Sequence, residues 1–175
     1  MLALDTGIAG KVQMKKYVGL LLVSLLICLP AAADSSRPVG FCGAGPRLGL
    51  TVNPDQIHVG GQLDFGDLTP GLMIIPNLEL GFGDHTTTVA PSFELDYRFR
   101  HNWSAWSPYL GGGFGPIFYS FEGGAGSDTR FGVYVEGGFS RQLTGKNLGR
   151  FFVEGKLGLG DAPDFKVTAG WMFGR

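Results

Sequence analysis

The sequence is poor in most of what a helical or soluble domain uses. Its 175 residues carry a formal net charge of −1, and only 17% of them are charged. The basic excess of a nucleic-acid binder is missing. There are two cysteines, Cys28 and Cys42, too few and too far apart for a disulfide framework or a cysteine-ligated zinc site. No apolar run reaches the roughly 18–20 residues of a membrane-spanning helix. Beyond residue 33 no 3.6-residue apolar period appears. What the chain does have is 30 glycines and 13% aromatic residues. Each glycine costs up to about 1 kcal/mol in a helix interior, which argues against a helical bundle. The aromatic content argues against disorder. The length fits one domain.

Residues 14–33, MKKYVGLLLVSLLICLPAAA, read as a secretory signal. Lys15 and Lys16 give a positive start, Val18 to Leu29 a short apolar core, and Ala31-Ala32-Ala33 a small-residue cleavage site. The core has about a dozen residues, short of a spanning helix. Cleavage is expected between Ala33 and Asp34. Met14 is itself a suitable start, which leaves residues 1–13 as a candidate mis-assigned extension of the reading frame. Cys28 lies in the apolar core behind Ile27, where a lipoprotein signal has a small residue. Cys42 is then the lone cysteine of the exported chain and is expected as a free thiol. Removing residues 1–33 takes away three lysines and one aspartate, so the remaining 142 residues have a net charge of −3. Lysine becomes scarce: Lys146, Lys156 and Lys166 are all that remain. A soluble exported domain covers itself with more charge than that.

The remainder alternates with a period of two, the signature of strands. In residues 86–100, TTTVAPSFELDYRFR, one face carries Thr87, Val89, Pro91, Phe93, Leu95, Tyr97 and Phe99. The other carries Thr86, Thr88, Ala90, Ser92, Glu94, Asp96, Arg98 and Arg100. Similar alternation marks 47–52, 57–65, 71–81, 130–140, 150–160 and 165–173. Residues 107–121 form a further, glycine-rich strand whose faces the pattern does not assign. Turn residues separate these segments, as in Asn53-Pro54-Asp55, Gly83-Asp84 and Gly160-Asp161-Ala162-Pro163. The count is eight, and most segments match the roughly 9–11 residues of a tilted strand crossing a bilayer.

Alternation does not say which face meets solvent. Three features favour apolar residues outside, as in a membrane barrel. Charge is too sparse to solvate an outer surface. The polar faces carry small residues and mixed-sign charges suited to a narrow interior, where Glu79, Glu94, Asp96, Glu136 and Glu154 are expected to meet Arg47, Arg98, Lys156 and Lys166. Aromatic residues gather near strand ends (Tyr97, Phe99, Trp103, Trp106, Tyr109, Phe121, Phe151, Phe152 and Trp171), as they do at membrane interfaces. A sheet in lipid must close, since an unpaired edge there costs several kcal/mol per group. Closure at eight strands leaves room for side chains but not for an open pore.

The signal peptide, the alternating strands, the stretch PYLGGGFG at 108–115 and the last strand FKVTAGWMF at 165–173 together resemble the small outer-membrane β-barrel domains of Gram-negative bacteria, of the OmpA/OmpX type. The resemblance covers about residues 44–175. It implies an all-β, eight-stranded antiparallel up-and-down transmembrane barrel in the outer membrane, with both ends of the mature chain in the periplasm. Its partners would be outer-membrane lipids and the assembly machinery, which is thought to read a terminal aromatic with apolar residues at alternate positions before it. Here Phe173 follows Trp171, Ala169, Val167 and Phe165, and Gly174 and Arg175 come after it. The expected organisation is a signal at 1–33, an N-terminal segment at 34–46 and the barrel at 47–175. The oligomeric state is left open.

Chemistry is sparse. His58, His85 and His101 have no paired ligands at metal spacing, and neither a metal nor a cofactor is expected. The region around Trp106 and PYLGGGFG also resembles the lipid A deacylases, but their histidine two residues before a serine-asparagine pair is absent. The nearest combination is His101 with Ser104, without an identified orienting acid. Gly111-Gly112-Gly113 lacks the lysine and following helix of a phosphate loop. The expected role is that of a porin-like structural or envelope barrel with a filled lumen and no catalytic residues. A lipid-modifying hydrolase and a barrel holding a small apolar ligand are the alternatives.

Overall fold

A computed structural model describes residues 37–99, 105–121, 126–143 and 149–174. The signal segment, His101, Trp103 and Ser104 lie outside the described residues. Eight long strands form the wall: β1 (Gly43–Val52), β2 (Gln56–Asp64), β4 (Leu72–Gly83), β5 (Thr86–Arg98), β6 (Trp106–Phe121), β7 (Ser127–Gln142), β8 (Arg150–Gly160) and β9 (Phe165–Gly174). The three-residue β3 (Asp67–Thr69) lies in the turn between β2 and β4. Consecutive long strands pair antiparallel, β1 pairs with β9, and β2 pairs with β4 across β3, so the sheet is a closed barrel. Among the described residues there is no helix. We call the end where β1 starts and β9 finishes the proximal mouth, and the other the distal mouth.

Closure follows from the alternation. Each strand presents one residue outward and the next inward, and the two sets are chemically opposite. Leu48, Leu50, Ile57, Phe93, Phe139 and Leu157 are all more than half exposed on the outside. Arg47, His58, Glu94, Asp96, Glu136 and Lys156 are all buried inside. Segment 86–98 has the faces read from its sequence, with Phe93 out and Glu94 in.

The structure also assigns what the pattern left open. In β6, Tyr109, Gly111, Gly113, Gly115, Ile117 and Tyr119 face the lumen, while Leu110, Phe114 and Phe118 face out. Other boundaries differ from the sequence reading. β1 begins at Gly43, ahead of the expected 47, because Gly45 and Pro46 interrupt the contrast there. β7 begins at Ser127, where Ser120 pairs with Ser127; this overhang is polar and exposed, so the ladder continues where alternation ceases. The segment after Phe65, expected as a simple turn, forms the tiny β3–β4 hairpin, with Gly71 in the left-handed region at φ +86°.

Two lumen clusters flank the charges. Ala90, Ile117, Tyr119, Tyr134 and Ala162 pack together toward the distal mouth. Met73, Ile75, Tyr109, Phe152 and Met172 are buried nearer the proximal mouth. Tyr109 and Phe152 therefore leave the set of aromatics expected at the membrane interface: both sit on lumen-facing positions of their strands. Space for them comes from wall glycines. A Cβ on Gly138 would stand 2.7 Å from the Tyr109 ring, and one on Gly49 would stand 2.7 Å from His58 Nε2.

Candidate functional site: an ion-paired lumen

The charges inside the barrel come from β1, β4, β5, β7, β8 and β9, brought to one place by closure. Arg47 is their hub. Its Nε lies 3.1 Å from Glu79, its Nη1 3.2 Å from Glu94, and its Nη2 donates to Glu154. Lys156 pairs with Glu94, with Glu136 at 2.9 Å and with Glu154 at 3.4 Å. Lys166 holds Glu79 at 2.6 Å. The Tyr109 hydroxyl donates to Glu154 at 2.8 Å. Aromatic rings border this network: Arg47 lies 6.0 Å from the Phe152 centroid and Lys166 lies 5.5 Å from that of Tyr134.

Five carboxylates (Glu79, Glu94, Asp96, Glu136, Glu154) thus face three basic groups. Of the residues expected to meet here, Arg98 does not. It closes the proximal end of β5 and lies 3.8 Å from Asp67 in the turn. Its position one strand-end below the network puts the Arg47 hub out of its reach. Asp96 is buried, and among the described residues its Oδ1 has no hydrogen-bond partner. Oxygens of Glu94, Asp96 and Glu136 come within 4.8 Å of one another, a spacing that suits a cation. The Lys156 ammonium already stands against two of the three, so we assign no metal.

His58 has a structural place. Its ring nitrogens lie 2.9 and 3.1 Å from the hydroxyls of Thr51 and Thr168. His85 sits in the β4–β5 turn at φ +60°. Between Gln62, Met73, Glu94, Tyr109, Phe152 and Glu154 the lumen keeps a cavity of about 10 Å³. That is about the space of one water at most.

The proximal mouth holds a second ionic group that the sequence reading missed. Arg37 bonds Asp64 at 2.7 Å and Asp67 at 3.0 Å. Burial works against the Arg37 charge, but the hydrogen bonds and charges of Asp64 and Asp67 outweigh it and hold its pKa above the ordinary arginine value. Burial likewise raises the Asp67 carboxyl, and the bonds and charge of Arg37, with the charge of Arg98, more than offset that, so its pKa lies below the usual aspartate value. Arg37 belongs to a segment with no periodicity, so the only available signal was the pair Asp64 and Asp67 flanking a turn.

No protein-family model matches the sequence, and no curated protein matches it. Solved structures do. Neisserial surface protein A superposes with a TM-score of 0.59 at 12% identity, over 81% of this chain and all of that one. The N-terminal β-barrel domain of Pseudomonas aeruginosa OprF gives a TM-score of 0.58 at 16% identity, over 78% of this chain and 98% of that one. Both are eight-stranded outer-membrane barrels. This chain has their fold. At these identities the likeness carries the architecture: a closed, antiparallel, eight-stranded barrel.

Proposed function

We propose that the chain is an integral outer-membrane protein whose lumen is a charge-filled plug, with a structural or envelope role and no catalytic centre. The observation that carries this reading is the inversion of the wall. Large apolar side chains cover the outside while Arg47, Glu94, Glu136 and Lys156 are buried within. Such an exterior would be a severe aggregation liability in water and is well solvated by lipid. Outside the proximal end runs a chain of rings, with Trp106 and Phe151 6.2 Å apart, Phe151 and Trp171 5.8 Å, and Trp171 and Phe173 6.1 Å. This is the composition of an aromatic girdle at a membrane interface. The export signal and the comparison barrels favour the outer membrane, its lipids and its assembly machinery. The ion-paired lumen argues against a pore, and a cavity of about 10 Å³ argues against an apolar ligand held inside.

Fractionation with heat-modifiable gel mobility tests the membrane reading; extraction into detergent-free buffer would overturn it. Planar-bilayer recording tests the plug, with no steady conductance expected. Lipid A mass spectra with and without the protein test the hydrolase alternative, with no change expected and Ser104→Ala as the control.

A further inference from the structure

The proximal mouth contains a cavity of about 240 Å³ whose lining includes Arg37, Arg98, Arg150, Asp64, Cys42 and Met172. Among the described residues, three guanidinium groups meet at this mouth, and two carboxylates, Asp64 and Asp67, answer them. Arg37 takes the close positions on both, at 2.7 and 3.0 Å. Asp64 also accepts the Gly66 backbone N–H at 2.9 Å. Arg98 and Arg150 are left with carboxylates at 3.8 and 3.6 Å, beyond hydrogen-bond range. Among the described residues, Arg150 donates to the weak acceptor Met73 Sδ at 3.2 Å. Among the described residues the group has one more positive than negative charge, and two planar forks line the cavity facing poor acceptors. Each fork has five N–H donors in a geometry that matches phosphate and carboxylate oxygens. The arginine side chains are 12–29% exposed, so the cavity is reached from outside the barrel.

We propose that the proximal mouth binds an oxyanion of the phosphate class, gripped by Arg98 and Arg150 on the fixed frame of Arg37, Asp64 and Asp67. The occupant is either free phosphate or the phosphate of a lipid headgroup. The second source rests on the membrane reading above; the first does not.

The test is calorimetric titration of inorganic phosphate into the full chain folded in a zwitterionic detergent, at constant ionic strength balanced with chloride. Saturable binding is expected. It should weaken by at least about tenfold in the double variant Arg98→Gln/Arg150→Gln, since lost charge-assisted bonds exceed the corresponding 1.4 kcal/mol. Arg141→Gln, on the outer surface beside Trp106, should bind as the parent does. Heat-modifiable mobility identifies variants that fold; if the double variant does not, Arg98→Lys and Arg150→Lys, which keep the charge and lose the fork, should each bind more weakly. Absence of saturable heat, or equal binding by a folded double variant, overturns the proposal, whatever the membrane location. Repeating the titration in phosphatidylglycerol vesicles separates the sources. Loss of phosphate binding there identifies the lipid headgroup as occupant, and unchanged binding identifies the free anion.

Discussion

Arg47 and Leu48 are neighbours in β1, yet the first is 1% exposed and the second 60%. One residue step reverses the chemistry, and the same step recurs from Phe93 to Glu94 and from Lys156 to Leu157. The inside of this wall is held by pairing, and the outside is held by whatever solvent surrounds it. Removing an inside group leaves a buried charge without its partner. Changing an outside aliphatic group alters chiefly its contact with the surroundings. The two faces should therefore answer mutation differently, in size and in dependence on the medium.

The largest effect is expected at Arg47. Replacing it with Met keeps most of the volume but leaves Glu79, Glu94 and Glu154 to two lysines. Breaking a buried ion pair in this way costs about 3–5 kcal/mol. Urea unfolding of the protein in liposomes, followed by tryptophan fluorescence, should show that loss. A shift under about 1 kcal/mol would place Arg47 in the weak class of solvated pairs and remove the hub from the description.

On the opposite face, Leu48→Arg tests the surroundings directly. At mid-strand an outward arginine in lipid should cost about 2–4 kcal/mol. Leu68→Arg, exposed on the β3 turn, should cost at most about 1 kcal/mol, because on the proposed membrane reading a turn at the barrel rim falls near the interface. Equal and negligible losses at both positions would mean that water surrounds the wall.

The faces were legible in the sequence because each strand carries a chemical contrast. Segment 86–98 sorts into Phe93, Leu95 and Tyr97 against Glu94 and Asp96, and the structure keeps that sorting. Where the contrast fails, so does the reading. β6 has Gly111, Gly113 and Gly115 inside and Gly112 outside, which leaves no side chain to compare. The partners of Arg47 were legible as a set, from the polar faces of the strands, but not pair by pair. Glu94 and Glu154 lie 47 and 107 residues away, and only closure brings them across the lumen. Expecting Arg98 in that network failed for a related reason. Its face was right, but its height along the strand was set by a register that the sequence does not display.

A smaller effect is expected at the proximal mouth, where one partner of the ion pair is partly solvated. Asp67 has its carboxyl pKa held below the ordinary value, so its ionised form favours the folded barrel. That contribution is complete above the unfolded-state value of about 3.9 and disappears as pH falls through the lowered folded-state value. Asp67→Asn should cost about 1 kcal/mol at neutral pH. Parent and variant should converge as the medium is acidified below the unfolded-state value. An equal gap at neutral and strongly acid pH would assign the loss to packing in the β3 hairpin instead of to charge.

The smallest effect is expected from an ion pair with the same chemistry as the Arg47 pairs and a different location. Arg130 Nε contacts Asp128 at 2.8 Å on the β7 overhang, and both side chains are nearly half exposed. The contact is shorter than the 3.1 and 3.2 Å of Arg47 to Glu79 and Glu94. Distance alone would thus rank the Asp128 pair above those two. Water reverses that ranking, because it solvates both partners when the pair is broken and screens them while it is formed. Asp128→Asn, which leaves Arg130 over the Tyr119 ring, should not move the unfolding midpoint measurably at moderate salt. A loss approaching that of Arg47→Met would show that the overhang is shielded from water, and that the boundary between the two environments lies beyond the start of β7.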